Sequence, residues 1–293
     1  MVDISIIIVT YNTHQMTKAC IDSIYEKTSQ VSFEVILVDN ASSDGSKEFF
    51  TQDKRIKYIY SSENLGFGRA NNLGFSHASG RYIFLLNSDT LLLNNAIKHM
   101  YDFFEEQTSS TGCIGCLLYD NNQRPIHSWG TFPNKRIFLK RIINFLFPGI
   151  LAPWDTPSDK DQYPKEVDYI TGADLMIRRN VIEQCGLFDP EFFMYFEETE
   201  MQYRYAKAGY KRIIINTGHI THLVGASYKR KNHSLAGIIR EMKSRYIYCR
   251  KTLTTKECHE IALMHLIMIP RILICRATWN EKTELIKLIL SNL

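Results

Sequence analysis

Phe84-Leu85-Leu86-Asn87-Ser88-Asp89-Thr90 is the stretch on which the reading of this chain turns: an apolar run of the kind that fills a buried strand stops at a carboxylate set between small polar residues. A strand ending at Asp89 fixes its oxygens at the carboxyl edge of a sheet, where open α/β folds bind ligands. A hard divalent cation, Mg2+ or Mn2+, suits that place, because it takes one or two carboxylates and fills its shell with water and substrate phosphates. Taken alone the stretch reads as a strand-ending turn, since Asn, Ser and Asp are ordinary turn residues. The metal reading needs the rest of the chain.

Around this strand, short apolar runs alternate with helical patterns, the signature of a parallel sheet wrapped by helices. The pattern predicts strands at Ile4 to Thr10, Glu34 to Asp39, Arg55 to Ser61, Arg81 to Asn87 and Cys113 to Tyr119. Helices are predicted between them at Thr13 to Thr28, Ser43 to Gln52, Gly66 to Ala78 and Asn94 to Gln107. Right-handed crossovers gather the strand ends on one edge, so Thr10, Asp39 and Asp89 are expected at a common crevice. Asp39 can accept from a ribose hydroxyl or a nucleobase ring N–H; a plain capping turn using Ser42 or Ser43 explains the same residues. Asn64-Leu65-Gly66-Phe67-Gly68-Arg69-Ala70-Asn71-Asn72 is not a dinucleotide fingerprint, because Asn71 stands where the third glycine belongs and the motif follows the third strand. A helix start with glycines and Arg69 still suits an anionic or nucleobase ligand.

From Asn121 to Tyr163 repeated prolines predict a long loop with short strands or a helix near Phe138 to Phe147, placed to sense an acceptor. Asp168 to Arg179 is strand-like but interrupted at Gly172, and a short helix follows. The acids Glu197, Glu198 and Glu200 then open a helix expected over Thr199 to Ala208. The helix dipole accounts for some of them. The aromatic wall Phe192, Phe193, Tyr195 and Phe196 before them would desolvate a carboxylate and raise its proton affinity, as a general base requires. After a strand at Arg212 to Asn216 come His219 and His222. Three apart in extended chain, they face opposite sides, so a single imidazole completing the shell of a metal on Asp89 is more economical than a zinc pair.

With 293 residues, 45% of them apolar, the chain buries a full core, and a disordered chain is excluded. Met1 leads directly into alternating isoleucines, so no cleavable signal peptide is visible, and a cytoplasmic protein is expected. Seven scattered cysteines argue for reduced thiols, and Cys113 and Cys116, in CxxC spacing, read as core packing. From Lys229 onward basic residues outnumber acids, although the net charge is only +4. Helices are predicted at Leu235 to Thr252 and Glu257 to Thr278. The apolar run Ile261 to Cys275 is too short to span a bilayer and is interrupted by Pro270 and Arg271. It fits a helix lying in a membrane interface, a core helix or a dimer surface.

In this order the motifs Ser5 to Asn12, Val38 to Ser46, Asn64 to Asn72, Asn87-Ser88-Asp89, Gly172-Ala173, Phe188-Asp189, Glu197 to Glu200 and His222 to Ser227 resemble the inverting family 2 glycosyltransferases, closest to their rhamnosyltransferase-like branch. The resemblance implies a GT-A fold: a Rossmann-like, mostly parallel sheet flanked by helices, here with a C-terminal helical appendage. It divides the chain into a catalytic domain at 1–228, with a nucleotide-binding half at 1–120 and an acceptor-side half at 121–228, and a basic helical extension at 229–293. Thr10, Asn12 and Asp39 would hold the nucleoside, with Asn64 and Arg69 near the base. Asn87, Ser88, Gly172 and Ala173 would line the nucleotide sugar. Asp89 would hold Mg2+ or Mn2+, joined by His222, and Glu198 would be the catalytic base with Glu197 beside it. Many relatives carry Asp where Asn87 and Glu198 stand.

The activity this implies is transfer of a sugar from dTDP-rhamnose or a UDP-sugar to a saccharide or lipid-linked acceptor in bacterial surface polysaccharide assembly. Expected with it are a place in the cytoplasm or on the inner face of the membrane, no nucleic-acid partner, and an open question of homodimerisation. A sugar-phosphate nucleotidyltransferase is the first rival, but Thr10-Tyr11-Asn12-Thr13-His14-Gln15 lacks the Gly-rich basic phosphate loop of that class. A non-catalytic nucleotide-sugar sensor is the second, with Asn87 as its one supporting hint.

Overall fold

The computed structural model describes residues 2–147, 149–150, 161–223, 235–274 and 277–293. Pro148, Pro153, Pro157, Val224 to Ser227, Lys229 to Lys231, Cys275, Arg276 and the expected domain boundary at 228 lie outside the described residues.

In chain order the elements are β1 (Ile4–Thr10), α1 (His14–Lys27), β2 (Phe33–Asn40), α2 (Ser46–Phe50), β3 (Ile56–Ser61), α3 (Phe67–Phe75), β4 (Tyr82–Asn87), β5 (Thr90–Leu92), α4 (Ala96–Glu106), β6 (Thr111–Tyr119), β7 (Trp129–Gly130) and α5 (Lys135–Leu146). Then follow β8 (Lys165–Glu166), β9 (Tyr169–Ile170), β10 (Asp174–Arg178), α6 (Arg179–Cys185), α7 (Glu197–Lys207), β11 (Lys211–His222), α8 (Leu235–Thr252), α9 (Thr255–Leu266), α10 (Ile269–Ile274) and α11 (Trp279–Leu290).

The main sheet runs β3-β2-β1-β4-β10-β6-β11-β5, with β8 beside β11. Its first four strands are parallel. β10 enters antiparallel between β4 and β6. β11 lies parallel to β6 and antiparallel to β5. Both faces of β1 are buried, which is why its sequence is almost unbroken isoleucine and valine rather than alternating. Ile4, Ile6 and Ile8 pack with Phe84, Leu86 and the inner faces of α1 and α4. Ile7 points the other way, to Ile36, Leu85, Ala70 and Met201. Each such fully buried side chain contributes about 1.5–3 kcal/mol. Cys113 and Cys116 lie in these two opposite layers, wholly buried, and burial pushes both thiols up.

The helices α8 to α11 close around Leu235, Ile239, Met242, Ala262, Ile272, Leu285 and Ile289, with Ile142 of α5 joining them. A second cluster, Phe138, Phe192, Phe196, Tyr248, Cys249 and Ile261, ties this part to the segment just before α7. The helix expected over Glu257 to Thr278 is two helices broken at Ile267 and Met268. Pro270 sits in the first turn of α10, where its missing N–H costs least. Capping boxes at Thr254/Glu257 and Thr278/Glu281 start α9 and α11. Among the described residues no helix is long and apolar enough to cross a membrane.

Candidate active site

The parallel strands β1, β2 and β4 end together, and a cleft of about 390 Å³ opens there, lined by Tyr11, Asn40, Asn64, Phe67, Asn87, Ser88, Asp89, Met194 and His222 among others. β4 stops at Asn87, a turn follows, and β5 leaves from Thr90. The antiparallel pairing of β11 with β5 sets His222 opposite Thr90. As a result His222 Nε2 lies 3.1 Å from Asp89 Oδ1 and 3.4 Å from Asn87 Nδ2. The Leu223 amide donates to the Asp89 carbonyl at 2.8 Å, which locks this corner. His219 faces elsewhere: its ring stacks on Tyr119, and its Nε2 is 2.7 Å from Gln123 Oε1.

A second wall comes from α3. Gly66 has φ +80° and ψ −175°, a conformation reserved for glycine. The Asn40 side chain holds this turn, donating to Asn64 Oδ1 at 3.0 Å and to the Gly66 carbonyl at 3.1 Å while accepting from the Leu65 amide at 2.8 Å. Sequence reasoning assigned no role to Asn40 or to Tyr11. Tyr11 is 46% exposed at the cleft, an aromatic face suited to a base or sugar ring. An aromatic directly after the first strand was the available signal.

Four expected nucleoside contacts do not line the cleft. Thr10 is buried and shares hydrogen bonds with Thr13 and Thr17, a hydroxyl cluster that reaches Ser88 through Thr13 at 3.2 Å. Asp39 is buried and accepts from the Tyr58 hydroxyl at 2.6 Å and the Ser42 amide at 2.8 Å. Asn12, with a left-handed φ of 55°, accepts from the Ser43 amide at 2.7 Å and so joins the ends of β1 and β2. Arg69 is exposed and donates to the Leu65 carbonyl. All four shape the loops around the cleft, whereas Asn64, Asn87 and Ser88 border it directly.

The acids sit in the first turn of α7. Tyr195 and Phe196, just before it, have φ of 73° and 67°. Left-handed residues other than glycine cost about 1–3 kcal/mol each and survive only where the surroundings over-determine them. Glu197 is buried beside Gly68, its Oε2 has no partner among the described residues, and burial together with the Glu198 charge pushes its pKa up to about 8. Glu198 is partly exposed; desolvation raises its pKa, and the backbone amides of Glu198 and Thr199, with the Arg141 charge, oppose that rise. Glu200 is taken by Arg204 at 2.9 Å, a structural pair.

Neither Glu197 nor Glu198 lines the cleft itself. Gly172 connects Glu198 to it: a Cβ there would lie 3.1 Å from the Phe67 ring and 3.8 Å from Glu198 Cβ. The neighbouring Ala173 accepts from the Asn87 amide at 3.0 Å. One backbone step therefore links the Asp89 turn to the Glu198 side. Among the described residues no three metal-ligating side chains converge. Asp89 and His222 nevertheless fit Mg2+ or Mn2+, which need few protein ligands when diphosphate oxygens complete the shell.

Residues 5–186 match the family model described as Glycosyl transferase family 2. The low-salt glycan biosynthesis hexosyltransferase Agl10 of Haloferax volcanii is 30% identical over 208 residues, 69% of this chain and 61% of that protein. The N-acetylglucosaminyl-diphospho-decaprenol L-rhamnosyltransferase of Mycobacterium tuberculosis is 24% identical over 204 residues, 64% of this chain and 66% of the relative. The chain thus spans less than two thirds of each relative's length. Among solved structures, GalNAc-T7 with UDP, GalNAc and Mn2+ superposes with a TM-score of 0.60 at 15% identity, over 85% of this chain and 50% of that one, which identifies the GT-A fold. The matched segment carries β1 to β6, the Asp89 turn and Gly172, and on that breadth of agreement the chain belongs to glycosyl transferase family 2.

Proposed function

We propose that this protein is an inverting, metal-assisted hexosyltransferase that moves a sugar from dTDP-rhamnose or a UDP-sugar to a saccharide or lipid-linked saccharide in surface polysaccharide assembly. The observation that carries the reading is the meeting of Asp89 and His222 in one cleft, with Glu198 one residue layer away across Gly172. Asp89 and His222 would hold Mg2+ or Mn2+; when bound, the ion supplies Lewis-acid stabilisation of charge on the departing diphosphate. The protein's own groups do the rest. Tyr11 offers a ring face to the nucleoside, and Asn64 and Ser88 offer hydrogen bonds along the donor. Glu198 takes the proton of the acceptor hydroxyl as its oxygen bonds to the anomeric carbon, and the bond from that carbon to the diphosphate oxygen breaks. One displacement inverts the configuration.

Glu198 is the better base of the pair because it is partly exposed, whereas Glu197 is enclosed and protonated through most of the neutral range. A base whose pKa is raised toward the working pH is well matched to proton abstraction. The protein is placed on the cytoplasmic face of the membrane in this reading. Ile267, Ile274 and Trp279 are 57%, 83% and 68% exposed near Arg271 and Lys282, a composition that suits a membrane interface. A thermal-shift screen of nucleotide sugars with Mn2+, followed by product analysis with the best donor, tests the proposal. Release of pyrophosphate from a nucleoside triphosphate, or binding with no turnover on any acceptor, refutes it.

A further inference from the structure

Resting on the transferase reading, we propose that α8 is the splint of the loop that delivers the general base, with Ser244 a positioning residue for Glu198. The loop from Asp189 to Phe196 runs between two helices. On one side α3 holds it: the Phe67 amide donates to the Phe193 carbonyl at 3.0 Å, and the Asn72 side chain donates to the Phe188 carbonyl at 2.7 Å. On the other side α8 touches it along its length. Ser244 Oγ donates to the Met194 carbonyl at 2.7 Å, Arg240 lies 5.9 Å from the Phe193 ring centre, and Tyr248 packs on Phe196 at 5.4 Å. Lys251 pairs with Asp189 at 2.8 Å, and Arg250 with Glu191 at 2.9 Å.

These contacts are not equivalent. The Arg250–Glu191 pair is substantially exposed and weak in solvent, and the Lys251–Asp189 pair is partly exposed and ties down only the start of the loop. Ser244 is only 2% exposed, and its bond falls on the carbonyl immediately before the two left-handed residues. Packing is incomplete at Phe193 itself: Phe192 and Phe196 on either side are buried, but beside Phe193 an open pocket of about 390 Å³ is bordered by Ser244, Ile239 and Glu284. A hydrogen bond is then the restraint that keeps the turn wound. The same turn sets Met194 in the wall of the donor cleft and points the first turn of α7. The C-terminal helices are in this way part of the catalytic apparatus.

The test compares Ser244→Ala with Ser244→Thr, whose extra methyl has the cavity to occupy. With dTDP-rhamnose or a UDP-hexose as donor, Ser244→Ala is expected to lower kcat on the order of 10–100-fold, the scale of a misplaced catalytic group. Donor KM should stay within about twofold. The acid limb of the pH profile should move, and Ser244→Thr should restore all three. Hydrogen exchange supplies a readout independent of turnover: amides from Met194 to Glu200 should exchange faster in Ser244→Ala, with β1 and β4 unchanged. A Ser244→Ala protein with wild-type kcat, pH profile and exchange over that segment overturns the inference. If the wild-type protein turns over no nucleotide sugar, the transferase reading fails, and the exchange comparison alone decides whether α8 restrains this loop.

Discussion

Replacing Gly66 by alanine should damage this protein far more than an ordinary surface substitution, and the cost can be worked from its surroundings. A Cβ at Gly66 would fall 2.1 Å from the Phe193 carbonyl oxygen and 2.9 Å from its carbonyl carbon, both backbone atoms that cannot swing aside. The backbone strain at φ +80° and ψ −175° contributes about 1–3 kcal/mol. Overpacking adds about 1–3 kcal/mol, and losing the Phe67 to Phe193 hydrogen bond about 0.5–1.5 kcal/mol. The total, roughly 2.5–7.5 kcal/mol, is a large share of a typical folding free energy of about 5–15 kcal/mol. Gly209 provides the control: its φ is +87°, but nothing lies within 4 Å of an added Cβ, so Gly209→Ala should cost only about 1–2 kcal/mol. Thermal unfolding followed by circular dichroism separates the two, at about 2–4 °C per kcal/mol for a chain of this class. If Gly66→Ala melts no lower than Gly209→Ala, the close approach of α3 to the 189–196 loop is wrong.

Glu198→Gln should cut turnover about 10²–10⁴-fold with nucleotide binding retained, as titration calorimetry with UDP or dTDP would show; near-normal transfer removes Glu198 as base. Asp89→Ala and His222→Ala should each abolish the extra thermal stabilisation that Mn2+ gives a bound nucleoside diphosphate, while stabilisation by nucleotide alone persists. Glu197 has its pKa raised from about 4.5 to about 8, so the folded chain keeps a proton that the unfolded chain releases across that window. Stability therefore falls as pH rises through it, and Glu197→Gln should gain on wild type between pH 5 and 8.5 in chemical denaturation.

Much of the frame was legible because hydrophobic period reports burial directly. β1 begins and ends where the isoleucine run does, and α8 matches its predicted span at Leu235–Thr252. Misses occur where tertiary contacts override local preference. α7 starts at Glu197, two residues early, because Tyr195 and Phe196 accept left-handed conformations that no sequence pattern announces. β11 continues past Asn216 to His222, since β5 and the end of β6 offer it partners across an irregular register between Ile215 and Ile220. That extension is what brings His222 to Asp89. Thr10 and Asp39 sit at the strand ends as expected, and their hydrogen bonds to Thr17 and Tyr58 are invisible in the order of residues.

The insertion of β10 between β4 and β6 has a cost during synthesis. While the ribosome has made only the first half, Tyr82 to Leu86 and Cys113 to Leu118 are two apolar ribbons with no neighbour between them, and their unpaired amides and carbonyls invite another chain. Only when Asp174 to Arg178 emerges can the gap close. The newborn polypeptide is therefore most prone to aggregate in that interval, and shielding by a chaperone would matter more there than for the finished molecule.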